Sequence, residues 1–274
     1  MTDLKEHYQS NDASHSTIQF IINEFEEELQ NMSGKCTDIG CGHGDQTRNN
    51  LLPALNPKAV ITGVDLSEDM IKHAIQAHSD EKRIEFYILD IEIKNLPEKY
   101  ISKYDHVFSF YSLHWCNDIR QAFENIYRLL RPSGTMFAIL IQTHDILEIL
   151  LDMSKDIRYS PYMKDKEKFI PPFYNSIYPE KELKTLLKNI GFKVHHCSLR
   201  ERTYSIQIAQ KLPHKIMAFA QIFMENMPCD LKEQFKDEFI QEHERRRLYY
   251  KQLHNQEERI VSDLHEILVV YAKK

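Results

Sequence analysis

The chain has 274 residues, long enough to bury a full core as one α/β domain with insertions. Its formal net charge of -6 and the absence of a long basic stripe argue against a nucleic-acid binder, because that binding rests on clustered Lys and Arg. Five cysteines without a C-x-x-C pair disfavour a disulfide framework and a zinc site, and no apolar run approaches the roughly 20 residues of a membrane span. The expectation is a soluble chain of a reducing, cytoplasmic setting, with no metal.

From Ile18 to Leu29, apolar residues recur at Ile18, Ile21, Ile22, Phe25 and Leu29 with acids between them, the spacing of an amphipathic helix. Short apolar runs then read as buried strands: Cys36–Ile39, Val60–Val64, Ile84–Leu89, His106–Phe110 and Thr135–Ile141. The helices legible between them are Thr47–Leu55, Ser67–Ala77 and Asp118–Leu130, the last two opening on the caps Ser67 and Asp118. That alternation is the βαβ rhythm of a parallel sheet. Arg131-Pro132-Ser133-Gly134 is expected to stop the third of these helices with a turn.

After the fifth strand the rhythm breaks. Residues 145–180 hold an amphipathic stretch and then Phe169-Ile170-Pro171-Pro172-Phe173-Tyr174, which cannot continue a helix. A helix Pro179–Ile190, closed by Gly191, leads to a strand near Phe192–Cys197; residues 207–265 read as helices, and Leu268–Ala272 as a final strand. Arg245-Arg246-Arg247, set among Glu242, Glu244, Glu257 and Glu258, reads as a solvated helix face. The expectation is a seven-stranded, doubly wound, mostly parallel sheet in a single domain, 1–274. It carries an N-terminal helical segment, 1–30, and cap insertions at about 145–180 and 207–265. Ligands in such folds sit at the carboxyl ends of the strands.

Of only seven glycines, Gly40, Gly42 and Gly44 fall within five residues, directly after the first strand and before a helix. Glycine there lets the backbone take tight or positive-φ conformations and lets a ligand approach the main chain. The dinucleotide fingerprint would need glycine where Asp45 stands, and Gly44 comes one residue early, so the pattern is D-x-G-x-G-x-G from Asp38. Asp65, ending the second strand, suits a carboxylate that accepts hydrogen bonds from both ribose hydroxyls. That placement serves a nicotinamide cofactor as well.

Asp38-Ile39-Gly40-Cys41-Gly42-His43-Gly44 resembles motif I of class I methyltransferases, which bind S-adenosylmethionine. The resemblance implies a Rossmann-like class I methyltransferase fold, a glycine turn along the methionine part of the cofactor, and an Asp38 that positions its amino group. It also implies an Asp90 that contacts the adenine amino group with Ile91 beside the ring. Asp90 at the end of the third strand, together with Leu129-Leu130-Arg131-Pro132-Ser133-Gly134, separates this pattern from the nicotinamide one.

The fourth strand and its outer end, Tyr104-Asp105-His106-Val107-Phe108-Ser109-Phe110-Tyr111-Ser112-Leu113-His114-Trp115, are more selective. With Ser10-Asn11, Phe169-Ile170-Pro171-Pro172-Phe173 and Leu268-Val269-Val270-Tyr271-Ala272-Lys273, they resemble the insect juvenile hormone acid methyltransferase family along essentially the whole chain. Membership implies transfer of a methyl group to the carboxylate of a sesquiterpenoid acid, with S-adenosylhomocysteine as the other product. The resemblance implies cofactor contacts from Tyr8, Asp38, Gly40, Cys41, Gly42, Asp65, Leu66, Met70, Asp90, Ile91, Ser109 and Phe110. Substrate walls would come from Tyr111, Phe169, Phe173 and Tyr174, with Tyr178 and the stretch around Met217, Phe219, Phe223 and Met224 beside them.

A carboxylic acid is already ionised at neutral pH, so the chemistry asks for alignment rather than a base. Trp115, whose indole N–H can only donate, suits one carboxylate oxygen, with His114 assisting. One departure from the family stands out. The family places a glutamine shortly after the Ser-Asn pair, and counting without gaps from Ser10-Asn11 puts Ser14 there, next to His15. His15 would then supply the missing donor. The alternatives are a methyltransferase for a hydroxyl or amine, with His15 or His114 as base, and a catalytically silent terpenoid-binding paralogue. The partner expected is a small hydrophobic carboxylic acid rather than nucleic acid, and a homodimer is compatible with the sequence.

Overall fold

The computed structural model describes residues 16–164, 166–206, 223–224, 226–252 and 261–274. Tyr8, Ser14, His15 and the stretch 207–222 lie outside them. A helix over 16–24, α1, turns at Phe25 into α2 (Glu26–Gln30). Ile18, Ile21, Ile22, Phe25 and Leu29 are all buried, as their helical spacing predicts.

The strands are β1 (Lys35–Ile39), β2 (Val60–Asp65), β3 (Ile84–Ile88), β4 (Tyr104–Phe110), β5 (Leu130–His144), β6 (Lys193–Ile206) and β7 (Val261–Lys273). They form a 7-stranded sheet in the order β3-β2-β1-β4-β5-β7-β6. β1 pairs in parallel with β2 and β4, β2 with β3, and β4 with β5. β7 runs against β5: the Lys274 N–H donates to the Gly134 carbonyl at 2.9 Å, and the Phe137 and Tyr271 rings lie 6.4 Å apart, so one number falls as the other rises. The strand order reverses between β1 and β4, and this switch point opens the crevice in which doubly wound sheets hold ligands.

In chain order the helices after α2 are α3 (Leu52–Ala54), α4 (Glu68–Ala77), α5 (Ile119–Leu129), α6 (Asp145–Met153), α7 (Pro179–Ile190) and α8 (Cys229–Gln252). Helices α1, α4, α5 and α7 cover the two faces of the sheet. The caps read from sequence are present: Ser67 Oγ accepts from the Met70 N–H, and Asp118 Oδ1 from the Gln121 N–H. One core joins β1, β4 and β5 to α5 and α7 through Val107, Leu113, Phe123, Ile126, Leu183 and Leu187. A second joins the opposite face to α1 and α4 through Ile18, Ile21, Phe108, Phe137 and Ile71.

By packing, the chain divides into two compact units. The larger comprises the described residues through Gln142, Pro171–Arg200 and Ile267–Lys274; the smaller comprises those of Thr143–Ile170 and Glu201–Glu266. The smaller unit has its own core, in which α6 and α8 close over Ile149, Tyr159, Phe235 and Phe239.

Several expectations are corrected. The helix expected over Thr47–Leu55 is a π-helical segment, Thr47–Leu51, running into α3, with Pro53 inside it. The turn expected at Arg131–Gly134 is an irregularity within β5. Between the pairs Tyr104–Leu130 and His106–Thr135, β4 advances two residues while β5 advances five, and Ser133 takes φ +67°. β6 runs on to Ile206, and β7 begins at Val261, inside the stretch read as helical. Arg246 is not a solvated charge: it reaches Glu148 (3.0 Å) and Asp152 (3.1 Å) of α6 and Glu242 (3.1 Å) of its own helix.

Candidate active site

Asp38 is the fourth residue of β1, with its neighbours buried on both sides of the strand, and it is 2% exposed itself. Its Oδ2 accepts from the Thr47 hydroxyl at 2.6 Å. Burial pushes its carboxyl up to about 7, against the lowering effect of that hydrogen bond and aided by the charge of Asp65. Beyond the strand, the N–H groups of Gly40 and Cys41 donate to the Val64 carbonyl (2.7 and 3.1 Å), which draws the glycine turn over the end of β2. Burial likewise pushes the Cys41 thiol well up, leaving it a protonated apolar neighbour of the turn.

Asp65 closes this corner. Its Oδ2 accepts from the Gly42 N–H at 3.0 Å and its Oδ1 from the Ser67 N–H at 2.9 Å. Gly42 takes φ +54°, and a Cβ there would meet nothing within 4 Å. Its Cα therefore presents an open main-chain face to a ligand. Asp90, just past β3, accepts from the Glu92 N–H at 2.8 Å, while Ile91 beside it is buried and passes its carbonyl to the Asn125 amide at 2.7 Å. Around these acids, Leu66 is 69% exposed and Ile88 is exposed, whereas Met70 is half-buried.

The described partners of the three carboxylates are a hydroxyl and backbone N–H groups, with no cation among them. Such an anionic crevice, with an open glycine face and exposed apolar side chains, fits a cationic ligand that carries hydroxyls and an aromatic ring. S-adenosylmethionine is a ligand of that chemistry. Among the described residues, no group of three or more His, Cys, Asp or Glu is arranged to hold a metal ion.

The end of β4 forms the facing side. Ser109 is buried, and its hydroxyl donates to the Ile39 carbonyl at 2.9 Å, tying β4 to β1 at the crevice; Phe110 is buried beside it. Tyr111 follows with φ +55°, a conformation uncommon for a bulky residue, and its N–H donates to the Ile139 carbonyl at 2.9 Å. This break in the strand swings the chain into the short 3₁₀ turn Leu113–Trp115. His114 is 3% exposed, and its Nδ1 lies 3.4 Å from the Ile141 N–H. Because that N–H donates, Nδ1 keeps its lone pair, and neutral His114 carries its proton on Nε2. The Trp115 ring lies 4.8 Å from it, 43% exposed.

The expected substrate walls are more scattered. Phe173 is buried in the core of the larger unit, where the Gln142 amide holds its carbonyl at 3.1 Å and that of Tyr174 at 3.3 Å. Phe169 belongs to the smaller unit, edge-on to Phe223 at 5.1 Å, and both Phe223 and Met224 are buried in that unit's core. Tyr178 is exposed and borders an open groove with Arg120, Lys181 and Leu186. Thr47, His78 and Gln142 were not singled out from the sequence, since each acts on a site segment distant in the chain or through a side-chain contact that no motif spacing announces.

Comparison with known proteins agrees with this geometry. Residues 37–136 match a family model described as a methyltransferase domain. Phosphoethanolamine N-methyltransferase 2 of Haemonchus contortus, solved in complex with S-adenosyl-L-methionine, shares the fold: TM-score 0.51 at 16% identity, over 93% of this chain and 52% of that one. The chain is 29% identical to juvenile hormone acid O-methyltransferase of Bombyx mori, over 86% of this chain and 84% of the relative. It is 30% identical to juvenile hormone acid O-methyltransferase of Drosophila melanogaster over 100% of this chain and 93% of the relative. With the fold, the motif I turn and the β4 end all in place along a match of this extent, the chain belongs to the juvenile hormone acid O-methyltransferase family.

Proposed function

We propose that the protein transfers a methyl group from S-adenosylmethionine to the carboxylate of a hydrophobic sesquiterpenoid acid, farnesoic or juvenile hormone acid, leaving the methyl ester and S-adenosylhomocysteine. The observation that carries this reading is the crevice at the ends of β1 and β4. On one side stand three carboxylates with no cation among their described partners, and on the other a His-Trp pair. The activity named for the Drosophila and Bombyx relatives is of the same class.

Bound S-adenosylmethionine supplies an electrophilic methyl group on a sulfonium. Asp38 would hold its ammonium group, Asp65 its ribose hydroxyls, and Asp90 with Ile91 its adenine. Gly40, Cys41, Gly42, Leu66, Met70, Ser109 and Phe110 would complete its contacts, together with Tyr8, which lies outside the described residues. The acid substrate, with a pKa of about 4 to 5, is ionised at neutral pH, so no side chain has to remove a proton. Trp115 Nε1–H and His114 Nε2–H would donate to the carboxylate and orient it toward the methyl group. A neutral His114 protonated on Nε2 is a donor rather than a base, which favours a carboxylate acceptor over a hydroxyl or amine. Ser14 and His15, which stand in sequence where the family has its glutamine, lie outside the described residues; His15 would supply the missing donor. Tyr111, Phe173 and Tyr174, all of the larger unit, would supply apolar cover for the terpenoid chain. We place the protein in the cytoplasm, where its free cysteines stay reduced; among the described residues no helix is long and apolar enough to cross a membrane.

The test is incubation with methyl-labelled cofactor and a panel of farnesoic acid, juvenile hormone acid and straight-chain fatty acids, read as labelled ester. Ester from the sesquiterpenoid acids is the expected result. Cofactor binding without any ester overturns the acceptor assignment, and no cofactor binding overturns the reading as a whole.

A further inference from the structure

His78 lies at the carboxyl end of α4, 35 residues from the glycine turn, and belongs to none of the motifs above. It is 7% exposed, yet its Nε2 sits 3.0 Å from the His43 carbonyl and 3.4 Å from Asp45 Oδ1. Both neighbours are acceptors, so Nε2 carries a proton and donates. The peptide that joins His43 to Gly44 is thereby held from both sides: its carbonyl accepts from His78, and its N–H donates to the Cys41 carbonyl at 3.0 Å. Gly44 takes φ +83°, and a Cβ there would fall 2.6 Å from Phe86 Cζ and 2.8 Å from His78 Cδ2. The imidazole and the Phe86 ring thus form a wall against which the turn is pressed. The wall is itself packed, with the two rings 6.0 Å apart.

The peptide from His43 to Gly44 has on one side a glycine of positive φ, which sets little rotational barrier of its own, so its orientation rests on the hydrogen bonds it makes. Rotation would carry the His43 carbonyl away from His78 and break the Gly44 N–H bond to the Cys41 carbonyl, which closes the turn around Gly42, whose N–H binds Asp65 and whose open face is the place for the ligand. We propose that His78 is a positioning residue for the cofactor: by binding the His43 carbonyl it fixes the peptide that sets the open face of Gly42. This rests on the reading of that turn as the cofactor site. It assigns to this chain a support for the turn that comes from α4 rather than from the turn's own sequence.

The experiment compares wild type, His78→Met and His78→Gln by calorimetric titration with S-adenosylhomocysteine, thermal unfolding, and amide hydrogen exchange of the folded proteins without ligand. Methionine fills much of the space without a donor, whereas the glutamine amide returns a donor near the Nε2 position. The expected result is a Kd raised about five- to tenfold in His78→Met, from the loss of one buried hydrogen bond. Faster exchange confined to residues 40–46 should accompany it, with KM for the acid unchanged and Kd restored to within about twofold in His78→Gln. A His78→Met protein that melts earlier but binds with wild-type Kd overturns the proposal in favour of a merely structural histidine, and so does a His78→Gln protein that binds as weakly as His78→Met. If His78→Met does not fold, His78→Gln and the exchange data still decide: unprotected amides at 42–44 in the wild type would contradict a pinned peptide. A wild-type protein that fails to bind S-adenosylhomocysteine overturns the cofactor reading itself, and this assignment with it.

Discussion

Asp38, proposed to hold the cofactor's ammonium group, is kept buried at a cost to the empty protein. With its carboxyl at about 7, raised chiefly by burial, the folded chain binds a proton between pH 4 and 7 that the unfolded chain has already released. Stability of the ligand-free protein therefore falls as pH rises through that window, and the cost is fully present above it. A shift of about three units corresponds to a ceiling near 4 kcal/mol. Asp38→Asn, which keeps shape and an acceptor for Thr47 but removes the charge, is expected to raise urea stability by about 1–3 kcal/mol at pH 8. The gain should vanish near pH 4, and affinity for S-adenosylmethionine should fall by more than tenfold. A gain that persists unchanged at pH 4 contradicts the buried charge as its source. On the acceptor side, Trp115→Phe keeps the apolar ring and removes the donor. One charge-assisted hydrogen bond is worth about 1.5–3 kcal/mol, so kcat/KM for the acid should drop about ten- to a hundredfold while KM for the cofactor stays put. Asp38, Asp65 and Asp90 were legible as candidates because each stands at or within two residues of the end of a strand at motif spacing. Tyr111 gave no signal of its +55° φ, since nothing in its neighbours marks a strand that must break there.

At the scale of elements, legibility followed periodicity and capping. α4, α5 and α7 carry Ser67, Asp118 and the Pro179–Gly191 pair at their ends, and their limits match the sequence reading within a residue or two. Where tertiary contacts decide, the reading went astray. Thr47 must reach Asp38, and the segment that carries it is wound as a π-helix that sequence spacing cannot distinguish from an α-helix. β7 begins at Val261-Ser262-Asp263, and the polar Ser262 and Asp263 carry no strand signal of their own. Arg246 belongs to the same class. Its side chain, 20% exposed, joins α8 to two carboxylates of α6, while Glu242 is held down at about 2, by Arg245 first and then by Arg246. Arg246→Met should leave the helix packed and lower stability by about 1 kcal/mol, read by urea unfolding, because each half-exposed pair contributes a few tenths to 1 kcal/mol. The difference should shrink in 1 M salt. A loss independent of salt would mean that packing of the stem, not charge, is what the residue contributes.

For the whole molecule, charge and fold act together: a chain of net charge -6 sets Asp38, Asp65 and Asp90 at or near the ends of its first three strands, an arrangement that suits the cationic ligand proposed for it. A ligand that binds only the folded state adds RT ln(1 + [L]/Kd), about 2.7 kcal/mol at a hundred times Kd. For a chain of this size each kcal/mol moves the melting point by about 2–4 °C, so saturating S-adenosylmethionine is expected to raise Tm by about 5–10 °C at pH 8. The size of that rise should depend on pH in a definite direction. The ligand's ammonium favours ionised Asp38, whereas the empty site holds the proton below about 7. Binding below that pH must expel a proton, and Kd should increase up to tenfold for each unit the pH falls. Scanning calorimetry at fixed ligand from pH 8 to 5.5 should show the rise in Tm dwindle by several degrees, with proton release on binding visible as a buffer-dependent heat at pH 6. A ligand-induced rise that stays constant across this range would show that Asp38 is ionised in the empty protein, and that the three acids are balanced by something other than the cofactor.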